Sequence, residues 1–236
     1  MSANLYYLMT MLPPLPALGE RVEYSEALSK LREEKDRSIS YLADLLESEL
    51  SIEECGRQYY VLGNKEYTPA LSEHFPDSFS EIFNSYKSTE EAIWLSKVYR
   101  AWFSLILEVG CKFGSGLLSR WAKWEYSLRL NLLSARFTKS SSEQSEDFDV
   151  LEDDLSSDYS YETSALVAAY KSFNEPFEAE KYLDQSRIDF LRRESTQFSF
   201  SIDELVSYML EMRIHNRYSQ MLPELGSKIL EEVTKL

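Results

Sequence analysis

Few side chains in this sequence could move a proton, hold a metal or attack a bond. Its two histidines, His74 and His215, are the natural general acid–base residues. His74 precedes Phe75-Pro76 in a loop-like stretch with no matched partner. His215 follows Glu211 by one helical turn, so the pair could share a metal. The di-iron carboxylate bundles use Glu-x-x-His instead, a spacing absent here. A histidine half-exposed at a helix–helix contact is the simpler reading. Cys55 and Cys111 lie in unrelated contexts, away from any His or basic cluster that would activate a thiol. Asp153-Asp154 with Glu152 is dense in carboxylates, but it lacks the glycine and alternating ligand spacing of a calcium loop, so it reads as a solvated acidic segment. Gly110-Cys-Lys-Phe-Gly-Ser-Gly116 lacks the Gly-Lys-Ser/Thr ending of a phosphate loop and reads as one helix ending and the next beginning. The dinucleotide, serine-hydrolase and zinc-protease motifs are also missing. The sequence therefore predicts no catalytic, cofactor-binding or metal-ligating residues, and no cofactor.

What it does predict is helices. Leu117, Trp121, Trp124, Leu128, Leu132 and Ala135 share one face at helical spacing, widened by Leu118 and Leu133. Arg120, Lys123 and Arg136 lie away from the centre of that face, and Glu125 reaches Arg129 one turn on. Two Trp on one stripe bury much apolar area, which makes this helix the expected centre of the core. Before it, Ser88-Thr-Glu-Glu91 is a capping box opening a helix with Trp94, Trp102 and Val109, ending near Gly110. Together the two form an αα-hairpin carrying all four Trp. These Trp, Glu125, Arg129, Arg136, and Tyr6 and Tyr7 near the N-terminus are the candidate core and interface residues.

Along the rest of the chain, Leu5 to Leu12 is a short apolar run read as a buried strand, stopped by Pro13-Pro14-Leu15-Pro16. Helices are expected from Ser25, through Ile39 to Leu46, from a capping box at Ser51 to Glu54, and over Ser164 to Phe173. Others follow at Pro176, at the Ser201-Ile-Asp-Glu204 box and at Pro223. Gly63-Asn64 reads as a turn. The expected fold is mainly α and bundle-like, with at most a short N-terminal strand. It is one all-helical domain, 1–236, in two loose parts: 1–139, an acidic loop 140–158 without a basic residue, and 159–236.

Composition agrees with a folded, helix-rich chain: 14% aromatic and 44% hydrophobic residues argue against disorder, and only seven Gly and seven Pro leave little turn chemistry for a large sheet. A net charge of −15 counts against non-specific nucleic-acid binding. Solubility is the plain reading of that charge, and a basic partner is the functional one. The N-terminus lacks the basic flank and long apolar segment of a signal peptide, and no run approaches a membrane span. Two unpaired cysteine contexts fit a reducing compartment.

Asn4-Leu-Tyr-Tyr-Leu-Met-Thr-Met-Leu-Pro resembles the N-terminal signature of a bacterial family encoded in V/A-type ATPase operons. Trp121-Ala-Lys-Trp-Glu-Tyr-Ser-Leu-Arg-Leu-Asn-Leu-Leu-Ser-Ala-Arg136 resembles that family's Trp-x-x-Trp/Phe-Glu…Leu-Arg-Asn…Ala-x-Arg helix. Pro176-Phe-Glu-Ala-Glu-Lys…Arg187-Ile-Asp-Phe-Leu191 and Phe200-Ser-Ile-Asp-Glu-Leu…Tyr208-Met-Leu…Arg217 extend the likeness. The family is similar to the C-type subunits of archaeal-type ATPases, the counterparts of the d-type subunits of eukaryotic V-type ATPases. The resemblance implies a helical, funnel-shaped protein without an active site of its own. It would sit on the cytoplasmic face of the inner membrane and couple the central-stalk subunits to the membrane-ring subunits during ion (proton) transport. This chain is shorter than the full three-lobed proteins of that type, so a reduced lobe would leave the funnel open. The second reading is a cytosolic helical adaptor or regulator that docks a partner on the 140–158 loop. A hydrolase or metalloenzyme would need Glu211, His215 or Asp153-Asp154 to converge in a cleft.

Overall fold

The computed structural model describes residues 5–20, 22–34, 36–69, 71, 75–137 and 157–220. Among them the chain forms nine α-helices and no strand. The apolar run at the N-terminus is helix α1 (Leu5–Met11), not the expected strand. The inward residues Leu5 and Leu8, with Leu12 just past its end, recur every three to four positions, so a helix buries them together where a strand would split them between two faces. Tyr6 and Tyr7 consequently face outward, about 60% exposed.

α2 (Tyr24–Glu33) and α3 (Arg37–Gly56) are separated by a short break, and the Asp36 side chain caps α3 by accepting the Ser38 N–H at 2.9 Å. No new helix opens at Ser51. Leu45, Leu46, Glu49, Ile52 and Cys55 continue one buried face, and α3 runs straight through, ending in a π-helical turn at Arg57–Val61. α4 (Asp77–Asn84), which the sequence reading missed, is brief and buries Phe79 and Phe83. α5 (Glu91–Phe113) does not use the Ser88 capping box: its N-cap is Glu90, two residues on, and no side chain caps it. It passes through Gly110 before the left-handed Gly114 (φ 68°) stops it. Gly110 is needed there, because a Cβ would lie 2.5 Å from Ser119 Oγ on the next helix.

That helix is α6 (Gly116–Phe137), whose first turn is capped by Ser115 Oγ, which accepts the Leu118 N–H at 3.1 Å. α7 (Ser160–Tyr170), α8 (Pro176–Glu194, with Pro in the first turn) and α9 (Ile202–Gln220) complete the described chain. Ser201 caps α9 as expected, accepting the Glu204 N–H at 3.3 Å. Glu204 reaches further back than a simple box, its carboxylate accepting the N–H of both Phe198 and Phe200 at 2.7 Å. Those two residues hold left-handed φ values of 58° and 48° without being glycine, so the carboxylate offsets a real backbone cost. The connection through residue 156, the helix expected after Pro223 and His74 lie outside the described residues.

α5 and α6 form the expected hairpin, and α6 also packs on α7, α8 and α9. One hydrophobic core runs from Leu8 to Ile214 and joins both ends of the described chain. α6 does not present a single apolar stripe. Trp121 meets Trp102 and Phe103 of α5, whereas Trp124 stacks on Phe190 of α8 with ring centroids 4.7 Å apart. Its midsection is buried on all sides, Glu125 and Ser127 included. On α5, Trp94 donates to the Phe83 carbonyl at 2.9 Å and Trp102 to Ser48 Oγ at 2.9 Å, so these indoles pin α5 to α4 and α3.

Trp121→Ala or Trp124→Ala should each cost about 3–5 kcal/mol in chemical denaturation, the usual range for emptying a large aromatic site. Losses below about 1 kcal/mol at both would contradict the burial described.

Candidate functional site

The least ordinary feature of the interior is charge. Glu49 on α3, Glu125 on α6 and Asp184 on α8 are each no more than 1% exposed. A bare carboxylate at such depth is strongly disfavoured, so each must be paired and hydrogen-bonded. The pairing is consecutive. Arg213 of α9 contacts Glu49, and Glu49 contacts Arg129 of α6. Arg129 Nε donates to Glu125 at 2.9 Å. Glu125 accepts a two-pronged fork from Arg187 of α8, Nε at 2.9 Å and Nη2 at 3.0 Å. Arg187 Nη1 donates to Asp184 at 3.0 Å, and Asp184 accepts from Arg217 of α9 at 2.6 Å. Arg217 also reaches Glu180 at 3.3 Å.

Signs alternate at every step, and the path leaves α9, crosses α3, α6 and α8, and returns to α9. Four guanidiniums meet four carboxylates, so the set is neutral. Arg213 also donates to the Leu46 carbonyl at 2.9 Å, and Arg129 lies 4.7 Å from the centre of the Tyr99 ring, bringing in α5.

Burial by itself would raise the Glu125 carboxyl, but Arg187 and Arg129 outweigh it and hold the group down at about 2. Burial pulls Arg213 down, with Arg217 adding a like charge, yet only to about 10, so it stays cationic at neutral pH. Burial would also lower Arg129 and Arg187, but Glu125 raises both above the ordinary arginine value. A carboxylate held near 2 is no general acid or base at neutral pH, since it carries no proton to give and binds one too weakly. What the arrangement does is hold four helices in fixed register.

A second cluster buttresses it. Trp124 Nε1 donates to Glu162 at 3.2 Å, Glu162 pairs with Arg193 at 3.1 Å, and Arg193 lies 5.2 Å from the centre of the Phe190 ring. A surface recess of ≈430 Å³ along α2 has Arg32 on its wall. That cation is already paired with Asp44 at 2.9 Å and with Glu47. Among the described residues no group of three His, Cys, Asp or Glu is placed to hold a metal.

Of the residues singled out from sequence, Trp121, Trp124, Glu125 and Arg129 meet at the middle of α6, with Trp102 against Trp121. Trp94 is buried further along α5, among Tyr60, Phe83 and Tyr86. Arg136 lies in the last turn of α6, and its side chain is outside the described residues. Tyr6 and Tyr7 are remote from the site and exposed. His215 is buried rather than half-exposed, and Glu211 pairs with Arg192 at 2.9 Å instead of approaching it as a co-ligand. The sequence reading missed Glu49, Asp184, Arg187, Arg213 and Arg217. A signal was present: Glu49 falls on the stripe made by Leu42, Leu45, Leu46 and Ile52, and Arg213 extends that of Val206, Met209 and Leu210. A charge inside an apolar stripe announces a buried partner.

The chain matches no family model, no curated protein and no solved structure.

Removing one member strands its neighbour, so Glu125→Gln or Arg187→Met should cost about 3–5 kcal/mol. The double variant should lose less than the sum, as a double-mutant cycle by urea unfolding would read. Additive losses would break the pairing. Because the folded Glu125 value lies below the ordinary 4.5, its contribution is full above pH 4.5 and is lost as pH falls towards 2. Unfolding midpoints measured against pH should fall steeply in that window.

Proposed function

We propose that this chain is a non-catalytic subunit of a V/A-type rotary ATPase, coupling the central stalk to the membrane rotor ring in ion transport. The observation that carries the mechanical half is the continuous chain of ion pairs that leaves α9, runs through α3, α6 and α8, and returns to α9. A body that passes torque must resist sliding between its helices. Paired charges at fixed depth resist it better than apolar contact alone, because any slip separates them in a low dielectric. The circuit commits the strongest polar groups of the interior to holding shape.

The family half rests on the resemblance of the N-terminal segment, the Trp121–Arg136 helix and the α8 and α9 segments to the ATPase-operon family and its C-type relatives. The net charge of −15 suits contact with a basic stalk foot. The protein would sit peripherally on the cytoplasmic face, touching the ring and the stalk through its exterior. Among the described residues, no helix is long and apolar enough to cross a membrane.

The test is affinity capture of the tagged full chain from gently solubilised native membranes, read by mass spectrometry. Stalk and ring subunits should be recovered with it. An extract rich in the ATPase that yields none of its subunits would overturn this reading. Capture that instead depends on residues 140–158 would favour the adaptor.

A further inference from the structure

The segment after α1 lies along one face of α9. Tyr208 donates from its hydroxyl to the Pro13 carbonyl at 2.8 Å. The Ala17 carbonyl faces the ring of His215. Gly19, at φ +102°, passes so close to Tyr218 that a Cβ would sit 3.3 Å from its ring. Tyr208, His215 and Tyr218 are spaced by seven and three residues, one side of a helix. Over the same rise the strap advances from Pro13 to Gly19. Leu12 is buried and Leu15 and Leu18 pack partly on the core, so the strap is held by apolar contact at both flanks and by tyrosines at either end.

His215 sits in the middle of this contact, 1% exposed, and neither ring nitrogen closes a hydrogen bond of regular geometry. An imidazole placed so is neutral, and charging it would need water or a counter-ion that the closed strap excludes. Its charged surroundings are already committed. From α8, Asp184 is tied to Arg187 and Arg217, and Arg192 is tied to Glu211 of α9 one turn before the ring. On the α3 side, Arg213 is held by Glu49. Pro13 to Gly19 carries no charge, and Glu20 beyond it accepts the Ala17 N–H at 3.2 Å.

We infer that residues 5–20 form a proton-released strap: protonation of His215 lifts the N-terminal segment from α9 and uncovers the Tyr208–His215–Tyr218 face, while the chain of ion pairs beneath stays intact. Burial and Arg192 together depress the ring below the ordinary 6.5, against the pull of the Ala17 carbonyl and Asp184. A depressed folded value means the closed strap is fully favoured above pH 6.5 and is lost progressively as pH falls below it. With a released ring titrating near 6.5 and a closed one staying neutral, opening should rise about tenfold between about pH 7.5 and about pH 5.5.

Hydrogen–deuterium exchange on the full chain tests this, with labelling times scaled for the slower intrinsic exchange at low pH. Peptides covering residues 5–20 should lose about tenfold protection across that range, and peptides from α5 and α6 should not. His215→Phe should keep the strap protected at both pH values. If that variant is unfolded, His74→Gln provides the second measurement. It leaves a single histidine, whose ring resonance should titrate below the ordinary range in step with strap exposure. Equal strap protection at both pH values overturns the proposal. So does loss shared equally by α5 and α6, or a pH response that survives His215→Phe and disappears in Glu211→Gln, a carboxyl that burial raises against Arg192.

Discussion

Everything in this fold answers to the difficulty of keeping carboxylates in a dry interior. Glu49, Glu125 and Asp184 are tolerable only where guanidiniums reach them, and each is reached by at least one guanidinium from another helix. A hydrophobic contact tolerates small shifts of one helix along another. A forked Arg–Glu pair does not, because its geometry fails within a fraction of an ångström. The circuit therefore converts a packing of helices, many of whose arrangements would bury similar apolar area, into one register. Buried ion pairs are poor sources of net stability, so specificity of arrangement is the better description of what they contribute.

The aromatic residues complete that arrangement. Trp94 and Trp102 fasten α5 to α4 and α3 through their indole N–H groups, and Trp124 fastens α6 to α7 and α8 through Glu162 and Phe190. Each of these three indoles supplies apolar area and one polar tip satisfied by a different neighbouring element, whereas the buried Trp121 Nε1 has no hydrogen-bond partner among the described residues and its ring contributes area alone. α6 is thus bound on every side, and a helix so enclosed cannot show a simple amphipathic pattern.

The sequence made the helical class legible, along with the α5–α6 hairpin, the glycine break between its helices (though Gly114, not Gly110, is the stop), the proline start of α8 and the Ser201 cap. All are local effects of φ, capping or 3.6-residue periodicity. It misjudged places where tertiary contact decides. Seven residues of α1 are too short to be helical alone, and they become so because Leu5, Leu8 and Leu12 find a common surface. Ser51 looks like a cap, but Ile52 and Cys55 prolong a buried face and carry α3 past it. The site was half legible: Glu125 and Arg129 are neighbours in sequence, while Arg187, Asp184 and Arg213 arrive from distant segments. Only the oddity of a charge in an apolar stripe marked Glu49.

That the circuit starts and ends on α9 bears on how the protein is born. Glu49 leaves the ribosome before Arg213, which lies 164 residues further along the chain. Synthesis proceeds from the N-terminus, so α3 waits with its carboxylate uncompensated and must keep it hydrated. The α5–α6 hairpin can collapse from local contacts, but the interior around Glu49 cannot dry until α9 arrives. The last described helix therefore acts as the closing stone of an arch. A chain shortened before α9 would retain its helical propensities and lose the reason for its shape.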